Sequence, residues 1–286
     1  MRNILLKVVL AAAAVIIIGV LVSSQLGSVG ANMLLTRNRR HVAGPAPETC
    51  QDATFTGVEV RLKGWRCRAS MPRRGTIIYL HGIGSNRTAG TGVIQKFTTR
   101  GFEVIAYDSR GHGESDGKFA TYGFYEKEDL RRIVDTLPPE ESIVLIGTSF
   151  GAAVSLQAAA EDRRIRTVIA AESFADLRSV ARHRAPRYFV EPLFERALRI
   201  AEERARFSVD AVDVVRAAAR ITAPVLLIHG ADDPDTPPSH SQRIFDALTG
   251  PKRLVLVPHA RHNQSVSNSW QEMESWLDAH VTSTER

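Results

Sequence analysis

Gly147, Thr148, Ser149, Phe150 and Gly151 stand between two segments of opposite character. Ser142–Ile146 before them is short, apolar and β-branched, as a buried parallel strand is. Ala152–Ala160 after them is rich in helix formers. A serine at that junction must turn the chain sharply from strand to helix, which lifts its hydroxyl above the sheet and strains its backbone. Glycines two residues to either side let the strand end and the helix start approach closely. The helix N-terminus aims its dipole at the same spot, which favours negative charge developing there. This context fits an activated nucleophile; the alternative is a tight turn around an inert serine.

Partners for such a serine lie downstream. Val225–Gly230 reads as another buried strand, followed by Asp232, Asp233 and Asp235. Arg253–Pro258 reads as a last strand, followed by His259 and His262. Serine at its own pKa is a poor nucleophile, so an imidazole must take its proton and a carboxylate must orient that imidazole. The chain order Ser, Asp, His is that of α/β-hydrolases and differs from the chymotrypsin and subtilisin orders.

From about Thr54 onward the chain resembles α/β-hydrolases of the serine aminopeptidase and monoacylglycerol-lipase-like group. The resemblance rests on five landmarks in order: His81–Gly84, Asp108–Ser115, Gly147–Gly151, His229–Asp233 with Pro237, and His262 with Asn263. It implies a mostly parallel sheet flanked by helices, with a helical lid inserted at about 173–220. It places the acid four residues after the His of the His-Gly pair, which selects Asp233 over Asp232 and Asp235. The turn before the catalytic histidine reads Pro258, His259, Ala260, Arg261, so two glycines usual in the group are replaced; His262 is expected, with His259 as competitor. Glu172, at the end of the strand Thr167–Ala171, is the chief alternative to Asp233.

An oxyanion needs N–H donors. One is expected from the amide of Phe150, after the nucleophile, and by resemblance the other from Ile83 in the loop after Gly75–Leu80. His81 is expected to brace that loop, and Asp108–Gly113 to be a structural turn at a sheet end. The nine His are scattered, the two Cys lack zinc spacing and no phosphate-binding glycine motif occurs, so neither a metal site nor a cofactor is expected.

Residues 1–35 read as a membrane segment. Val8–Val22 is uncharged and apolar, longer than the ~7–15 residues of a signal-peptide core. A retained single-pass anchor is therefore preferred, with secretion after cleavage near Val29–Ala31 as the rival. Residues 36–53 form a polar linker and 54–286 the folded domain. Phe55–Leu62 and Trp65–Ala69 are expected to form a hairpin turning at Lys63 and Gly64. Cys50 and Cys67, the chain's two cysteines, are expected to pair in an extracytoplasmic, periplasm-like compartment.

The net charge of +6 does not imply nucleic acid. Residues 1–40 hold Arg2, Lys7, Arg37, Arg39 and Arg40 and no acid, which leaves the remainder close to charge balance. Within 173–220, Phe189, Phe194 and Phe207 either line an acyl pocket or form the insertion's own core. Arg178, Arg182, Arg184 and Arg187 either meet an anionic substrate or form a solvated basic face. The expected function is membrane-associated cleavage of a small or lipid-like ester, thioester or amide through an acyl-enzyme. The alternative is a non-catalytic binding protein of the cell envelope on the same fold.

Overall fold

The structure, a computed structural model, describes residues 2–36, 38–70 and 72–281. Within the first helix, the side chains of residues 2–5, 8–9, 11 and 14–22 lie outside the description.

The strands are β1 (Cys50–Thr56), β2 (Arg61–Cys67), β3 (Gly75–Leu80), β4 (Phe102–Tyr107), β5 (Ile143–Thr148), β6 (Ile165–Ala171), β7 (Val225–Gly230) and β8 (Lys252–Val257). They form one eight-stranded sheet in the order β1-β2-β4-β3-β5-β6-β7-β8. From β4 to β8 all pairings are parallel; the β1–β2 hairpin and its contact with β4 are antiparallel. The helices are α1 (Arg2–Leu35), α2 (Thr91–Thr98), α3 (Glu126–Val134), α4 (Phe150–Ala159), α5 (Leu177–Arg184), α6 (Glu191–Ala205), α7 (Val214–Ala218), α8 (Ser239–Ala247) and α9 (Trp270–His280).

Helices cover both faces of the sheet, so its central strands are apolar throughout rather than alternating. Every residue of β3 and β7 is buried. Two apolar clusters fill the two faces, one around Leu145, Leu156 and Leu227, the other around Ile146, Phe97 and Ile228. Truncating one such side chain, Leu227→Ala for example, costs about 2–5 kcal/mol.

The chain runs from β3 to β4 on one side and then returns to β5 on the other. That reversal opens a crevice at the carboxyl ends of β3 and β5, the usual ligand position in open α/β sheets. Register sharpens it. Leu80 pairs with Gly147, Thr148 with Ala171, Ala171 with Ile228, and Gly230 with Val257. The loops that follow β3, β5, β6, β7 and β8 therefore leave the sheet along one edge.

The hairpin is present but shifted from its expected place. The turn falls at Gly57–Val60, where the Gly57 N–H donates to Val60 O at 2.8 Å and Glu59 takes φ +57°. Lys63 and Gly64 lie inside β2, and Gly64 pairs with Tyr107 of β4. The first strand thus begins at Cys50, inside the expected linker. Cys50 pairs with Cys67 across the hairpin and the two form a disulfide.

Residues 173–220 hold α5, α6 and α7, and a bridge between Asp176 and Asp213 closes their base. Phe189, Leu193 and Ala197 form a small cluster there, while Phe194 and Phe207 join the main core. Of the three phenylalanines only Phe189 belongs to the insertion's own cluster, and none of them lines the cleft over Ser149. Arg178 pairs with Asp210 and Glu195, and Arg182 with Glu191.

Among the described residues no helix is long and apolar enough to cross a membrane. The expected span over Val8–Val22 falls largely on side chains outside the description. The last turns of α1 instead pack on α6. Ala31 and Leu35 are buried, Gly27 lies against Ile200 and Arg196, and Gly30 lies against Phe189 and Ala197. The Arg204 guanidinium donates to Ser28 Oγ at 3.0 Å and Asn32 Oδ1 at 2.8 Å. The Tyr122 hydroxyl donates to Leu34 O at 2.8 Å, so the helix end is tied to the domain as well.

Candidate active site

Ser149 occupies the turn between β5 and α4 with φ 51° and ψ −113°, a conformation L-residues rarely adopt. The turn is held from both sides. The Ser149 N–H donates to Ala171 O at 2.7 Å. A Cβ on Gly147 would collide with the Gly151 carbonyl, and one on Gly151 with the Leu80 carbonyl. These two glycines are the condition for the close approach of β5, α4 and the end of β3.

The loop after β8 brings His262 over this serine. His262 Nε2 lies 3.0 Å from Ser149 Oγ, and His262 Nδ1 lies 2.6 Å from Asp233 Oδ2. The carboxylate only accepts, so Nδ1 carries the hydrogen and Nε2 is left to accept from the serine hydroxyl. Asp233 follows β7. Its Oδ1 accepts from the Asp235 N–H at 2.9 Å and the Thr236 N–H at 3.0 Å. Burial would raise the Asp233 carboxyl, but hydrogen bonds from His229, His262 and the Thr236 amide outweigh it and hold the group well below the usual carboxylate range.

The competitors lie elsewhere. His259 is 95% exposed, with its nearest carboxylate, Asp232, at 3.6 Å. Asp232 and Asp235 are exposed. Glu172 is fully buried and sits behind the histidine, 3.9 Å from His262 Nδ1. Its carboxylate instead accepts from the Asn263 N–H at 2.6 Å, the Ser265 N–H at 3.1 Å and the Ser265 hydroxyl at 2.6 Å. It therefore clamps the stretch that follows His262.

His229 has a part beyond its place in the His-Gly pair, one not expected from the sequence. Its Nε2 lies 2.7 Å from Thr236 O and 3.3 Å from Asp233 Oδ2, and its Nδ1 lies 2.6 Å from Ser241 Oγ. A histidine closing a buried strand four residues before Asp233 is the signal for it in the sequence.

The loop after β3 faces the serine. Gly82 adjoins Ser149, and Ile83 lines the same cleft. His81 is buried; its Nε2 accepts from the Ser109 N–H at 3.0 Å and its Nδ1 lies 2.8 Å from Gly82 O. Burial lowers its pKa to about 3, so it stays a neutral brace. Asp108 is also a brace, accepting from the Arg87 N–H at 2.7 Å, the Arg87 guanidinium at 2.5 Å and the Glu114 N–H at 2.9 Å.

The cleft over Ser149 measures about 870 Å³. Ile83, Val93 and Trp270 wall one side, and His183 and Arg184 of α5 reach in from the other. Arg184 donates to Asp235 O and Thr236 Oγ1, which ties the insertion to the loop that carries Asp233. Among the described residues no cluster of His, Cys, Asp and Glu is arranged to hold a metal ion.

Residues 77–275 match the alpha/beta hydrolase family. The chain belongs to that family. YqkD of Bacillus subtilis, an uncharacterized protein, is 30% identical over 226 residues, covering 73% of each chain. YfhR of Escherichia coli K12, also uncharacterized, is 29% identical over 241 residues, covering 79% of this chain and 78% of its own. Among solved structures, an esterase of Pyrococcus furiosus, Pf2001, superposes with a TM-score of 0.69 at 25% identity, over 87% of this chain and all of the esterase. The acylaminoacyl peptidase of Pyrococcus horikoshii shares the fold, with a TM-score of 0.64 at 13% identity over 83% of this chain and 42% of its own. In this alpha/beta hydrolase the family match spans both the Ser149 turn and the loop carrying His262.

Proposed function

We propose that this alpha/beta hydrolase is a serine hydrolase that cleaves an ester, thioester or amide through an acyl-enzyme. The observation that carries the reading is the continuous line from Ser149 Oγ through His262 to Asp233, at 3.0 and 2.6 Å. Ser149 Oγ attacks the carbonyl carbon as its proton passes to His262 Nε2. Asp233 holds the imidazole in the required tautomer and stabilises the imidazolium. The oxyanion is received by the amides of Ile83 and Phe150; neither has a protein acceptor among the described residues. One such donor is worth about 2.7–4 kcal/mol. His262 then returns the proton to the leaving group, and water, deprotonated by the same imidazole, releases the acid.

Helices α5–α7 act as a lid over this site, supported by the reach of His183 and Arg184 into the cleft. The esterase among the structural relatives favours an ester substrate. The Cys50–Cys67 disulfide supports a domain working in an oxidising compartment outside the cytoplasm. Residues 23–35 stay on the mature chain, since cleavage near Ala31 would strip packed helix from α6.

The test is labelling with a fluorophosphonate, which forms a bond only to an activated serine. Wild type should label and hydrolyse a p-nitrophenyl ester. Ser149→Ala should do neither while keeping its unfolding temperature. Labelling that survives the substitution would remove Ser149 as nucleophile.

A further inference from the structure

Leu256 apart, every large apolar side chain left exposed among the described residues lies on α1 or in the turn leading into α6. Water-exposed apolar side chains are ordinary when scattered; gathered at one place they mark a binding surface. Here four of them gather. Val29 and Met33, four residues apart on α1, share one helix face and are 49% and 45% exposed. Tyr188 and Val190 flank the buried Phe189 and are 65% and 58% exposed. The two pairs flank one junction, where Phe189 packs on Gly30 of α1. Gly30, Met33, Leu34, Phe189, Phe194 and Leu198 line an apolar cleft of about 120 Å³ at that junction.

Charge and continuity say what covers this face. Between Leu177 and Val190 the chain carries Arg178, Arg182, Arg184 and Arg187 and no acid. Arg178 and Arg182 are neutralised by carboxylates. Arg184 donates to uncharged oxygens, and Arg187 has no carboxylate partner among the described residues. The apolar face thus has a cationic border. The helix that carries Val29 and Met33 continues upstream without a charged residue from Val22 back to Val8. Apolar side chains beside unneutralised arginine, on a helix that grows more apolar away from the domain, match the chemistry of an interfacial lipid contact.

We propose that Val29, Met33, Tyr188 and Val190 form a docking face for an anionic lipid surface, with Arg187 meeting the headgroups. The docked turn runs directly into α6 and α5, so the lid would open and close against the lipid rather than in bulk water. The docking does not depend on the hydrolase reading; that lipid-side role for the lid does.

The test uses the full chain with one added cysteine bearing a polarity-sensitive fluorophore. Val190→Cys and Tyr188→Cys report the face, and Leu256→Cys, an exposed apolar position elsewhere, is the reference. Cys50 and Cys67 are tied to each other and do not compete for label. The labelled protein is reconstituted with vesicles of phosphatidylcholine and phosphatidylglycerol, with or without bromine on the acyl chains. Emission at 188 and 190 should move to the blue and be lost with brominated lipid, while the label at 256 does neither. Labels at 188 and 190 that behave like the one at 256 would overturn the proposal. So would a blue shift that needs no vesicles and grows with protein concentration, because a second copy would then cover the face. Repeating the measurement in Ser149→Ala separates docking from any failure of the catalytic reading.

Discussion

Asp233→Asn tests the division of labour between the two carboxylates near His262. The asparagine Oδ1 can keep the Asp235 and Thr236 amides, which Asp233 Oδ1 receives at 2.9 and 3.0 Å. Its NH₂ then faces His262 Nδ1, where Oδ2 now lies at 2.6 Å. A donor there forces Nδ1 to accept and moves the imidazole hydrogen to Nε2. The atom 3.0 Å from Ser149 Oγ then can no longer take the serine proton. A wrong tautomer of this kind costs about 10⁴ in kcat, about 5.5 kcal/mol of transition-state stabilisation. Glu172→Gln should behave differently. Its carboxylate accepts three hydrogen bonds from Asn263 and Ser265 and lies 3.9 Å from His262 Nδ1. The amide leaves one buried donor opposed to another, a loss of about 1–3 kcal/mol in stability. Turnover should fall less than about 100-fold, through displacement of the histidine loop, against the far larger tautomer effect. Steady-state hydrolysis of a p-nitrophenyl ester and thermal unfolding of both variants decide the matter. A tolerant Asp233→Asn together with a Glu172→Gln that loses three or more orders of magnitude would make Glu172 the acid and refute the reasoning.

His259→Ala should leave turnover nearly unchanged while His262→Ala lowers it on the order of 10³-fold or more, read in the same assay. Replacing Cys50 and Cys67 with Ser should lower stability by about 3 kcal/mol on the chain-entropy view, measured as a lower urea midpoint that reductant reproduces in the wild type. Acid should destabilise the domain from about pH 6.5 down to about 3. Burial lowers the folded-state pKa of His81 to about 3, so across that window the unfolded chain binds a proton that the folded one refuses. One proton corresponds to a slope of about 1.4 kcal/mol per pH unit. His81→Asn should show a shallower fall in urea midpoint, with His240, lowered to about 4, supplying part of what remains; an unchanged slope would exclude His81 as the titrating group.

Legible along the chain were the strand-to-helix serine turn, the succession of apolar strands and the place of each loop that supplies a site residue; the sheet order in which those strands pair was not. Those signals are local: an apolar run closed by Gly147, His229 or Pro258 ends a strand whatever surrounds it. Pairing of Cys50 with Cys67 was legible for the same reason, because they flank one hairpin. The hairpin's own turn was not, since Lys63 and Gly64 are as turn-like in composition as Gly57–Val60 and only pairing with β4 placed them inside a strand. His259 shares a loop with His262, and Asp232 one with Asp233; the resemblance favoured His262 and Asp233, and the fold leaves His259 and Asp232 exposed, away from Ser149. Glu172 and His229 showed their parts only when the ends of β6, β7 and β8 were set side by side. The packing of α1 on α6 depends on contacts more than 150 residues apart, which no periodicity within either helix encodes. Short-range chemistry is written along the chain; which of several equivalent groups it recruits is decided where the loops converge.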